Sequence, residues 1–91
     1  KNDSILVLGS ASIDMDYLNL NYQNIHRVYG ELNRDHFFKY NNHYPGKSVM
    51  KKFFVVSKKY NRYNEIKNII PNEYTLFKED ENVSVYKVNQ L

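Results

Sequence analysis

Apolar and polar positions alternate along this chain in ways that predict strands first. Ile5-Leu6-Val7-Leu8 is a continuous apolar run that ends in Gly9-Ser10. Such a run reads as a strand buried on both faces, opening an α/β unit. Phe53-Phe54-Val55-Val56 is a second run, so Lys52 to Ser57 is expected to form another buried strand. Tyr74 to Lys78 and Val83 to Val88 also read as strands, and the acidic Glu79-Asp80-Glu81-Asn82 between them reads as a hairpin turn.

Two stretches carry helical spacing instead. Leu18, Tyr22, Ile25, Tyr29 and Leu32 recur at alternating intervals of four and three, which places them on one helical face. Ser12 or Asp14 would cap that helix, and Gly30 with Asn33 would stop it. Tyr17 to Tyr22 also alternates as a strand would, and its asparagines weaken helix propensity. Tyr63, Ile66 and Ile69 or Ile70 predict a second, short helix, capped by Ser57 and halted at Pro71. Between the two, His36 to Tyr40 reads as a short strand or extended arm, and Asn41 to Gly46 as a loop. The expected fold class is therefore α/β. A small mixed sheet with two helices follows the order β-α-(β)-β-α-β-β and ends in an antiparallel hairpin.

Length makes this one soluble domain spanning residues 1–91, with a core that buries roughly 60–65% of the unfolded surface. The chain has no cysteine, which excludes disulfides and thiolate metal sites. No apolar run approaches the roughly 18 residues needed to span a bilayer, and no signal-peptide layout opens the chain. Lys1 stands where Met would be expected, and a strand follows almost at once, so the segment reads as excised from a longer polypeptide.

Charge changes the picture more than the net +3 suggests. From Lys39 to Lys67 there are eight cationic residues against the single acid Glu65, a local +7 that leaves −4 for the rest. Tyr40, Tyr44, Tyr60 and Tyr63 are interleaved with those cations. Such a mixture suits phosphate contacts and base stacking on single-stranded nucleic acid, or anionic lipid head groups and lipid-linked phosphates. It equally suits a solvated outer face.

Catalytic signatures are tested and set aside. Gly46-Lys47-Ser48 resembles the end of a phosphate-binding P-loop, but Asn41 stands where the first glycine is needed and Pro45 removes an amide donor. Gly9 alone cannot supply the dinucleotide-binding glycine spacing. Asp14-Met15-Asp16 has the spacing of a divalent-metal motif, yet on a helix its two carboxylates would diverge by about 200°. His26, His36 and His43 have no regular ligand spacing, and no serine sits in a nucleophile elbow. No catalytic residue, metal ligand or cofactor is therefore expected. Ile5 to Asp14 is similar, locally, to the amino-terminal segment of ribokinase-type sugar kinases, although no nucleotide-binding half follows.

Taken in order, four segments carry a wider resemblance: Asp3 to Ser10, Leu32 to Pro45, Phe53 to Ser57, and the pair Tyr74 to Lys78 and Val83 to Lys87. They resemble the soluble tail that follows the transmembrane helices of bacterial multi-pass glycosyltransferases of the GT-C type, the dolichyl-phosphate-mannose-protein mannosyltransferase-like enzymes. Those tails open with an Asp-led apolar strand ending in Gly, continue with a basic-aromatic arm and finish with a Tyr-containing strand. The polar stretch from Asp14 to Glu31 is longer here than in that pattern.

The resemblance implies a non-catalytic accessory domain at the extracytoplasmic face of the cell membrane, packed near its own transmembrane region and the membrane surface. Its catalytic acids would lie outside this segment. Arg34, Lys39, Tyr40 and Tyr44 match the arm and would contact a lipid-phosphate-linked sugar or an acceptor glycan. Nucleic acid is not the expected partner on this reading. The alternatives are a free-standing nucleic-acid or nucleotide-binding α/β module and a small sugar-active enzyme using Asp14 and Asp16.

Overall fold

A computed structural model describes residues 4–9, 24–40 and 46–89. Seven strands run in chain order: β1 Ser4–Leu8, β2 Asn24–Val28, β3 Phe38–Tyr40, β4 Ser48–Met50, β5 Phe53–Ser57, β6 Tyr74–Glu79 and β7 Val83–Val88. Five of them form one mixed sheet in the order β2-β1-β5-β7-β6, while β3 and β4 make a separate two-stranded ribbon. Strand β1 pairs in parallel with both β2 and β5, and β7 runs antiparallel between β5 and β6.

This architecture corrects the α/β expectation. Among the described residues there is no α-helix, and the fold is a small, mainly-β one. The carboxyl-terminal half of the first expected helix is strand β2, whose Ser4↔Asn24 to Leu8↔Val28 register matches all of β1. The 3.6-residue pattern fails there because its members do not share a face. Ile25 packs with one apolar cluster, Leu32 is buried in the other, and Tyr29 is 72% exposed. Residues 10–23, which carry the cap and first half of that helix, lie outside the described residues.

The second expected helix is replaced by a 3₁₀ turn over Tyr63–Asn68. Its backbone bonds close over three residues, Glu65 N–H to Arg62 and Ile69 N–H to Ile66. Asparagine and tyrosine are poor helix formers, and Pro71 forbids extension, so a tight turn suffices to bring Ile66 onto the sheet. Ser57 Oγ accepts from the Lys59 amide at 3.1 Å, a local turn bond and not the start of an α-helix.

Apolar side chains cover both sheet faces, as expected for a sheet with parallel strands at its centre. Leu6, Leu8, Phe54 and Val56 project to one face, where Phe37, Leu32, Ile66 and Tyr74 join them. Ile5, Val7, Phe53, Val55, Val83 and Val85 project to the other. The alternation follows from the two-residue period of extended backbone. A first 3₁₀ turn, Arg34–Phe37, precedes β3 and drives Phe37 edge-on against Phe54, ring centroids 5.2 Å apart. Together with the β3–β4 ribbon this turn forms a short cap over the first face.

Candidate functional site

The cap meets the sheet at a polar corner built by four separated segments. The first 3₁₀ turn is fixed by Asn33, whose Oδ1 accepts from the Asp35 amide at 3.0 Å while its own N–H donates to His36 Nδ1 at 3.1 Å. That reciprocal pair is a capping box. With Nδ1 accepting, a neutral His36 carries its proton on Nε2.

Lys51, in the link between β4 and β5, is only 5% exposed. Its Nζ donates to the carbonyl oxygens of His36 and Phe38, each at 2.6 Å. Its amide donates to Phe37 O at 2.7 Å, and Tyr74 Oη donates to its carbonyl. Burial pushes the Lys51 ammonium below its ordinary range, and the positive charge of Lys39 pushes it further. Tyr74 is pushed up, by desolvation first and by Glu73 second, so its hydroxyl stays a donor.

Register brings His26 to the same corner, opposite Leu6 of β1 and on the capped face. Its ring centroid lies 5.8 Å from that of His36. Desolvation holds its pKa below 6.5, with the charges of Lys51 and then His36 acting in the same direction. Ser4, Ile25, His26, Phe38, Lys39 and Lys51 line a hollow of about 260 Å³. Ser4 is 3% exposed, and its Oγ has no hydrogen-bond partner among the described residues. Among the described residues no carboxylate lines the hollow. The corner therefore offers ammonium and imidazole donors around one space, a chemistry suited to holding an anion.

The four arm residues separate in space. Lys39 lines the hollow. Arg34 pairs with Glu73 at 3.4 Å and lies 5.5 Å over the Phe38 ring, on the outside of the same cap. Tyr40 ends β3 opposite Ser48 and is 58% exposed. Tyr44 lies outside the described residues, as do Asp14 and Asp16 of the sugar-enzyme alternative. Sequence reasoning missed Ser4, His26 and Lys51. The adjacent pair Lys51-Lys52 at the mouth of an apolar run was the one available signal, since a strand that starts there carries at least one of them toward the core.

A second polar group sits where β5 ends. Ser84, fully buried, has its Oγ 2.5 Å from Tyr63 Oη and 3.5 Å from Glu79, and Glu79 in turn binds Lys58 Nζ at 3.1 Å. These contacts satisfy one another and tie the second 3₁₀ turn to the sheet.

Among the described residues no helix is long and apolar enough to cross a membrane, and no three His, Cys, Asp or Glu side chains group as metal ligands. Comparison with protein-family models, curated proteins and solved structures finds no match.

Proposed function

We propose that this chain is a non-catalytic accessory domain of a membrane glycosyltransferase, positioning a lipid-phosphate-linked sugar donor or its acceptor at the extracytoplasmic face. The observation that supports it is the meeting of Lys39, from the basic-aromatic arm, with His26 and Lys51 around one hollow. Such a corner suits a phosphate-bearing ligand, and exposed Tyr40, at the end of the strand that carries Lys39, offers a face on which a sugar ring can stack.

Binding of a short-chain isoprenyl-phosphate-linked hexose in detergent tests this reading. The phosphate ligand is expected to bind and the matching isoprenyl alcohol to fail, with binding lost in Lys39→Glu. Equal retention of the two ligands would overturn it. A full reading frame adds a second check, because about ten upstream apolar stretches of roughly 20 residues are expected and none would sink the proposal.

A second reading has its own observation. On the opposite sheet face Phe77 is 41% exposed and carries Lys87 at 5.2 Å and Lys78 at 5.4 Å from its ring, beside Phe53 at 5.6 Å. Aromatic faces flanked by lysines suit single-stranded nucleic acid. Oligonucleotide affinity that falls steeply with salt and disappears in Phe77→Ala would favour this reading over the first.

A further inference from the structure

We infer that the corner between β1, β2 and the cap is a specific site for the terminal oxygens of a phosphate group, held by His26, Lys39 and Lys51. The inference rests on the accessory-domain reading only for what the phosphate is attached to. The anion itself is argued from the corner alone.

The first argument is the number and kind of donors. Lys51 Nζ spends two of its three protons on the His36 and Phe38 carbonyls, which aim the ammonium and leave the third proton without a partner among the described residues. Lys39 adds a second ammonium and His26 a ring N–H. A tetrahedral oxyanion has enough lone pairs to accept from all of them, whereas a neutral ligand would leave two positive charges facing each other without compensation.

The second argument is the absence of a competitor. Among the described residues no carboxylate lines the hollow, so no side chain there already neutralises the two ammonium groups.

Electrostatics favours the same occupant. Lys51 and His26 are both held below their usual pKa values, partly by neighbouring positive charge, and an anion among them reverses that contribution. Size then favours an ester over the free ion. A hollow of about 260 Å³ takes several waters at about 30 Å³ each, leaving room for the group that the phosphate carries.

The test is a titration of the isotopically labelled chain with inorganic phosphate, followed by amide and imidazole NMR shifts. Saturable shifts are expected at Ser4, His26, Lys39 and Lys51, with a dissociation constant on the order of 1 mM. Lys39→Met and His26→Asn should each weaken binding by about five-fold or more, while Lys67→Met, on the second 3₁₀ turn, leaves it unchanged. Lys51 is left intact because its loss would disturb the cap. Equal weakening by Lys39→Met and Lys67→Met, or shifts spread over all lysines, would overturn the site. A parallel titration with isoprenyl-phosphate hexose separates the two proposals. Tighter binding than inorganic phosphate supports both, and phosphate binding without any gain from the lipid-linked sugar keeps the anion site while refuting the donor role.

Discussion

Lys51 Nζ lies 2.6 Å from the carbonyl oxygen of Phe38, so a buried ammonium holds together the 3₁₀ turn and the ribbon strand that follows it. A second bond of the same length to His36 O makes Lys51 a two-point clamp on the cap. Lys51→Met keeps the apolar stem but orphans both carbonyl oxygens. It should destabilise the fold by about 2 kcal/mol, measured as a lowered urea midpoint at unchanged slope. An unchanged midpoint would show that the clamp is energetically idle.

Ser4→Ala should act in the opposite sense. Removing a buried hydroxyl that has no partner is expected to raise stability by about 1 kcal/mol in the absence of phosphate, read from the same urea transitions. Added phosphate should stabilise the parent chain more than a Lys39→Met variant, because a ligand that binds only the folded state adds stability that grows with its occupancy.

Acidification should weaken the fold through His26. Its folded pKa lies below the unfolded value of 6.5, because of desolvation and then the charges of Lys51 and His36, so below that value the unfolded chain takes up a proton that the folded chain resists. Stability should therefore fall as pH drops through 6.5 and toward the folded pKa. Thermal melts across this window should show a shallower decline in His26→Asn.

Asp80 gives a second, lower window. Amides of Asn82 and Val83 bond its Oδ1 at 2.7 and 2.9 Å and hold the carboxyl below its ordinary 3.8. The contribution is complete above 3.8 and is lost as pH falls through the folded value. Asp80→Asn should flatten this acid limb, and acid titration of the melting temperature will show whether it does.

Phe54 supports the cap from below, packing against Phe37 at 5.2 Å and Tyr86 at 6.0 Å between ring centroids. Phe54→Ala should cost about 3–5 kcal/mol, since it leaves a cavity under the turn that carries His36. Calorimetric unfolding measures that loss.

Much of the sheet was readable from the chain because its central strands are continuous apolar runs. Ile5 to Leu8, Phe53 to Val56 and Val83 to Val88 contain little besides β-branched, aromatic and leucine side chains at their inward positions. Strand β2 was not readable, because Asn-Ile-His-Arg-Val has two apolar residues whose spacing also fits a helix. Its identity depends on a parallel partner twenty residues earlier. Strand β4 is three residues long and carries no pattern of its own. Of the corner residues, Lys39 stood out through the arm. His26 and Lys51 looked like ordinary surface charges, since only the β1–β2 register and the fold of the cap bring them beside Ser4.

Strand β7 is the last of the described strands, yet it lies inside the sheet, bonded to β5 on one side and β6 on the other. Strand β6 reaches the rest of the sheet only through it. During synthesis the amino-terminal β1, β2 and β5 can pair with one another early, but Val55 and the Phe77 edge must wait for residues 83–88 to emerge. The last pairing during synthesis is therefore the docking of the β6–β7 hairpin on β5, and a ribosome-stalled chain ending before Val83 should expose the Val55 side of β5 to chaperones and proteases.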